Sequence, residues 1–163
     1  MNLFPNNVNL LSTGRYIEGG KSSANFENFN LALHVNDKKE SVLENRSILR
    51  DYYELPTDPV WINQTHSSIC VDASLNERVV EADASFTLNP GIVCAILTAD
   101  CLPVFISKKD GSMVGVAHAG WKGLISGVIE SLIESFHSNG DDLVVHLGPA
   151  ISMNSFEVGE EIK

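Results

Sequence analysis

From Ile92 to Phe136 the chain reads IVCAILTADCLPVFISKKDGSMVGVAHAGWKGLISGVIESLIESF, and few folds accommodate that order of patterns. Ile92–Leu97 is short and rich in β-branched residues, which predicts a strand buried on both faces. Lys108-Lys109-Asp110-Gly111 has turn composition, so the run ending in Val104-Phe105-Ile106 and the run Met113–His118 form an expected hairpin. Taking Lys108–Gly111 as a four-residue loop sets Cys101 opposite His118, with Cβ atoms about 5 Å apart. Pro103 donates no ladder hydrogen bond, so a bulge there would slip the register by one. After His118 the chain turns through Ala119-Gly120-Trp121-Lys122-Gly123 into a helical pattern. Trp121, Leu124, Ile125, Val128, Ile129, Leu132, Ile133 and Phe136 are spaced as one apolar helix face, and Asn139-Gly140 supplies the stop signal.

A strand that feeds a helix through glycines leaves free amides at the helix start, here beside Lys122, which makes an anion site around Gly120 and Lys122. The same glycines serve equally well to let a strand and a helix pack closely. Spacing alone leaves both readings open.

The size of the chain sets the scale. Its 163 residues are 44% hydrophobic, which suits a single domain with a real core. A formal charge of −10 disfavours general binding to nucleic-acid phosphates. No apolar run reaches membrane-spanning length, and the N-terminus has neither a basic leader nor a long apolar segment, so a cytoplasmic protein is expected. Cys70, Cys94 and Cys101 are too few for a disulfide framework.

Outside the central stretch, Val8–Leu11 and Phe29–His34 read as strands. Asp37 followed by Glu40 resembles a capping box and opens a helix to about Glu54, ended by Leu55-Pro56. Arg46 sits on that helix near Val42, Leu49 and Tyr53, where it points either inward or to solvent. Val60–His66 alternates, with Val60, Ile62, Gln64 and His66 on one face. Ile69–Val71 and Val79–Thr87, the latter bearing Asp83, are further short strands, with Asn76-Glu77-Arg78 as the loop between them. Leu143–Leu147 is a strand, and Ser155 caps an expected helix through Phe156, Val158 and Ile162.

His66, Cys101 and His118 each end an apolar run. Two imidazoles and a thiolate form a tetrahedral zinc site with one open position, the catalytic pattern. Without metal the same trio is a Cys–His nucleophile pair with a second His. There is no CxxC and no HExxH, so spacing alone does not choose.

The motifs NQTH, TADCLPV, GVAHAGWKGL and LGPAI, with FNLALHVND and ENR, resemble the bacterial laccase-domain family, also called polyphenol oxidases. The resemblance runs from about Asn30 to the C-terminus. It implies an α/β (α+β) sandwich of mixed sheets with flanking helices, a single domain over 1–163. It also implies His66, Cys101 and His118 as metal-binding and catalytic residues around zinc. Members are assigned as purine nucleoside phosphorylases that also deaminate adenosine, so purine nucleoside and phosphate are the expected partners. Asp100 joins the expected catalytic group; Gln64, Arg46, Gly120 and Lys122 are the expected substrate contacts. Similar toxin domains with a Cys–His pair, and a family role on peptidoglycan precursors, imply a hydrolase as the alternative. A metal-binding protein without catalysis is the other.

Family members continue through a further C-terminal segment, so a truncated form is expected here. The segment STGRYIEGGKS departs from the usual family opening, which removes any basis for a role of Arg15. Multicopper oxidase chemistry is disfavoured, because it needs many histidines, commonly in H-x-H pairs. This chain has five (His34, His66, His118, His137, His146) and no such pair.

Overall fold

The computed structural model describes residues 4–75 and 79–159. The predicted loop at Asn76–Arg78 and the end of the predicted C-terminal helix at Ile162 lie outside them. Its scaffold is a five-stranded mixed sheet with helices, an α/β fold. The strands are β1 (Cys70–Asp72), β2 (Ala84–Thr87), β3 (Leu102–Lys108), β4 (Val114–Ala119) and β5 (Leu143–Leu147). They lie in the order β1-β2-β4-β3-β5, with β1 parallel to β2 and every other pair antiparallel.

The predicted hairpin forms, but not in the predicted register. Pro103 pairs with His118 and Leu102 with Ala119, and the Lys108 amide donates to the Met113 carbonyl at 3.0 Å. The connecting loop is therefore 109–112, one residue later on each side of the turn than the composition suggested. Cys101 lies just before β3, so it is not a ladder partner of His118. The displacement is two residues in the pairing, and a strand's side chains repeat every two, so the faces are conserved. Cys101 and His118 still meet at the open end of the hairpin.

One sheet face carries Ala84, Val104, Ile106, Ala117 and Ala119, and packs on Val128, Leu132 and Phe136. Those three belong to α3 (Val128–Ser135) and its C-terminal neighbour. Gly115 allows the approach: a Cβ there would sit 2.7 Å from Leu132 Cδ1. The expected single helix from Trp121 is in fact two. α2 (Trp121–Ser126) ends at Gly127, which takes a left-handed φ of 86° before α3 begins. The break turns half of the apolar stripe out of the core, leaving Ile125 78% exposed. A φ this positive is open to Gly at little cost, and a helix cannot propagate through it.

Several expected strands are extended without being sheet. Ile92–Leu97 has only the isolated bridge Cys94–Val60, and all six residues are half-buried. Val60–His66 contributes that bridge and another from Asn63 to Glu81. The Gln64 amide group pins the two segments together, its Nε2 donating to the Leu97 carbonyl (2.8 Å) and its Oε1 accepting from the Leu97 amide (2.7 Å). Val8–Leu11 and Phe29–His34 are irregular, although Val8, Phe29 and Leu31 are buried. Val79–Thr87 yields a strand only from Ala84.

The first long helix, α1 (Lys39–Tyr52), buries Val42, Asn45 and Leu49, spaced to share one face. Asp37 does not close a capping box. Its carboxylate instead accepts from the Ser22 hydroxyl (2.6 Å), the Asn30 side-chain amide (3.0 Å) and the Lys38 backbone amide (2.8 Å). Of the expected C-terminal helix, the described residues Phe156–Gly159 are irregular and follow a short turn at Met153–Ser155.

Candidate metal centre

The site forms where three backbones converge. β4 delivers His118, the residue before β3 delivers Cys101, and the extended segment 60–66 delivers His66. Backbone bonds from the Asn63 amide to Val80 (2.8 Å) and from the Ala82 amide to Asn63 (3.1 Å) guide that segment along 80–82. His66 itself has a φ of 60°, in the left-handed region. The ligand atoms of His66, Cys101 and His118 lie within 4.8 Å of one another, on an exposed, a half-buried and a buried residue respectively. The two imidazole centroids are 4.9 Å apart at 69°.

Zinc bonds of about 2.0–2.3 Å place tetrahedral ligand atoms roughly 3.3–3.6 Å apart, so the trio fits zinc after a small contraction. The three donors leave a fourth position for solvent or substrate. Copper also accepts a His2Cys set, so donor chemistry alone does not name the metal.

Behind His118 stands Asp83, fully buried just before β2. Its Oδ1 lies 2.8 Å from His118 Nδ1, the arrangement in which a carboxylate holds the proton on one ring nitrogen and frees the other to ligate. Burial pushes the Asp83 carboxyl up. The bonds from His118, from the Ser67 amide and hydroxyl and from the Thr65 amide outweigh it, and the pKa is held below the usual carboxylate range. The Cys101 thiol is pushed up by burial, with Asp100 and Asp83 adding to the effect. Cys70 and Cys94 are free thiols apart from this cluster; burial pushes Cys94 up to about 12.

The other expected site residues divide. Gly120 lies against the trio: a Cβ there would be 2.9 Å from His66 Cδ2 and 3.1 Å from Cys101 Sγ. Asp100 is exposed beside Cys101, and its carbonyl accepts from the Ile151 amide at 3.1 Å. Lys122 is exposed in the first turn of α2, with Nζ 5.4 Å from the Trp121 ring centroid. α2 has only six residues, so its dipole adds little to an anion site. Gln64 has both ends of its side-chain amide on Leu97. Arg46 points inward: Nε and Nη2 donate to the Leu31 carbonyl (2.9 and 2.8 Å), and the guanidinium stacks 4.0 Å over Trp61. Arg15 is likewise on backbone carbonyls, those of Glu27 and Asn25.

Sequence reasoning gave Asp83 no role. The available signal was an acidic residue directly before an apolar strand, with no basic residue from Val79 to Thr87.

The sequence model of the family described as multi-copper polyphenol oxidoreductase laccase matches residues 11–163. The chain belongs to this family. A Haemophilus influenzae relative named purine nucleoside phosphorylase is 39% identical over 97% of this chain and 64% of its own length. A Pseudomonas aeruginosa relative, also named a purine nucleoside phosphorylase, is 45% identical, over 89% of this chain and 59% of its own. Among solved structures, a Neisseria meningitidis protein superposes with a TM-score of 0.92 at 38% identity, covering 98% of this chain and 65% of that one. YlmD from Geobacillus stearothermophilus gives 0.80 at 27% identity, over 88% and 59%. The chain thus spans about three-fifths of the length of these relatives. No helix among the described residues is long and apolar enough to cross a membrane.

Proposed function

We propose that this chain is a zinc-binding purine nucleoside phosphorylase unit, cleaving adenosine, inosine or guanosine with phosphate and deaminating adenosine as a second activity. The observation that carries the reading is the convergence of His66, Cys101 and His118, with Asp83 behind His118, in a chain so similar to proteins named for that activity. A bound zinc ion would supply a Lewis-acidic centre at the open position.

The chain's own residues do the rest. Asp83 keeps the His118 ring in one tautomer, and Gly120 leaves room for His66 and Cys101 to approach. In phosphorolysis, phosphate attacks the anomeric carbon of the ribose as the purine leaves, through an oxocarbenium-like transition state by analogy with glycoside cleavage. Exposed Lys122 is assigned to the phosphate and Asp100 to the departing purine. In this reading Gln64 and Arg46 shape the walls, since their polar groups are already held by backbone.

A second reading has support from the same geometry. Asp83, His118 and Cys101 also stand in the order orienter, base and nucleophile of a cysteine hydrolase, with peptidoglycan precursors as the substrate class. The raised Cys101 thiol counts against a ready thiolate.

Metal analysis followed by an inosine assay separates the readings. About one zinc per chain, lost in Cys101→Ser and His66→Ala, is expected, with ribose 1-phosphate formed only when phosphate is supplied. Free ribose formed equally fast without phosphate would indicate hydrolysis of the nucleoside instead of phosphorolysis. Zinc uptake with no nucleoside turnover would leave the peptidoglycan hydrolase or a metal-binding protein ahead.

A further inference from the structure

The two oxygens of Asp83 serve different ligands of the cluster. Oδ1 meets His118 Nδ1 at 2.8 Å. Oδ2 accepts from the Thr65 amide (3.1 Å), the Ser67 amide (2.6 Å) and the Ser67 hydroxyl (2.8 Å). Thr65 and Ser67 are the residues on either side of His66, whose backbone is held in the left-handed region at φ 60°. A β-carbon makes that conformation unfavourable, so something must hold the turn. Asp83 is itself fixed from behind. It is fully buried, its amide donates to the Ile69 carbonyl (3.0 Å), and its carbonyl accepts from the His118 amide (2.7 Å).

We propose that Asp83 is a positioning residue that couples two metal ligands, setting the proton on His118 through Oδ1 and the backbone turn of His66 through Oδ2. This rests on the proposed His66–Cys101–His118 metal site and not on phosphorolysis. The coupling needs a carboxylate. The side chain introduced by Asp83→Asn offers one acceptor oxygen and an NH2 group that only donates. If that amide aims its oxygen at Thr65 and Ser67, its NH2 faces His118 Nδ1, which must accept; the ring proton then moves to Nε2 and the ligating lone pair is lost. If it turns the other way, the NH2 faces the Thr65 and Ser67 amides, which only donate, and the His66 turn opens. Either orientation spoils one ligand.

The test uses metal-free chain and the zinc ion. At mildly alkaline pH, 15N NMR should show the His118 ring proton on Nδ1. Asp83→Asn should move it to Nε2, or leave it and open the His66 turn. In both cases zinc affinity, measured by chelator competition, should fall roughly 10- to 100-fold. Ser67→Ala removes one Oδ2 donor and leaves Oδ1 alone, so it should keep the Nδ1 proton while weakening zinc several-fold. That variant also carries the test if Asp83→Asn does not fold. An Nε2 proton in the unsubstituted chain overturns the proposal, as does unchanged zinc affinity in folded Asp83→Asn or in Ser67→Ala. No zinc uptake by the unsubstituted chain sinks the metal site and the coupling with it, whereas normal uptake with no response to the variants sinks the coupling alone.

Discussion

Gly120 and His66 approach so closely that a methyl group on Gly120 would lie 2.9 Å from His66 Cδ2. The backbone at Gly120 has φ −68° and ψ 161°, which any residue adopts, so the glycine answers to the neighbouring side chains and not to its own dihedrals. His66 is exposed and its ring has room to swing outward. Gly120→Ala should therefore fold, with a melting temperature within a few degrees of the parent. Zinc affinity should fall by roughly tenfold or more, the scale of disturbing groups packed behind metal ligands. A calorimetric titration beside a thermal melt checks both; equal zinc affinity would mean that the ring and the thiol yield without cost.

The break at Gly127 makes two residues of one apolar pattern behave differently. Ile125 is 78% exposed, whereas Leu132 is fully buried against β4. Ile125→Ser should change stability by no more than about 0.5 kcal/mol. Leu132→Ala should cost about 2–5 kcal/mol, because it removes buried methyl groups and leaves a cavity. Urea unfolding of the two variants distinguishes this from an unbroken helix, in which both would be costly.

Lys122 tests the anion assignment. Replacing it by Met keeps the stem and removes the charge. If Lys122 holds phosphate equally in ground and transition states, the phosphate KM should rise about tenfold with kcat nearly unchanged. Its exposure keeps the effect from being larger, since solvent and salt screen such a pair. Nucleoside KM and zinc content should stay constant. An unchanged phosphate KM would make Lys122 a solvated surface residue.

Asp37 predicts a dependence on pH. Burial raises its pKa, but the bonds from Ser22, Asn30 and Lys38 outweigh that and leave the carboxyl below its ordinary value. A depressed carboxylate adds stability above the unfolded-state pKa of about 3.9, and that stability is lost as pH falls through the lower folded value. Asp37→Asn should thus be less stable than the parent near neutrality, and the gap should close below about pH 4. Denaturant midpoints across a pH series decide it; a gap that persists undiminished in acid would show that charge plays no part there.

Residue pattern alone determined the elements whose stability is local. The β3–β4 hairpin, α1, β5 and the helical run after Gly120 follow from apolar spacing and turn composition, which act over a few residues. The candidate trio His66, Cys101 and His118 stood out as a His or Cys at the end of each apolar run and through the family motifs, and the fold brings the three together. The remaining features depend on neighbours distant in the chain. Ile92–Leu97 looked like a buried strand, but a strand needs ladders, and here one bridge to Val60 and the Gln64 clasp are what hold it. The hairpin register came out two residues from the expected pairing, with the turn closed by Lys108 and Met113. Arg46 could not be placed until Leu31 and Trp61 were seen beside it. Asp83 was invisible as a site residue because its meaning lies in groups 16 to 35 residues away, the Ser67 amide and the His118 ring. A buried carboxylate must find donors, and only the folded backbone shows which donors it finds.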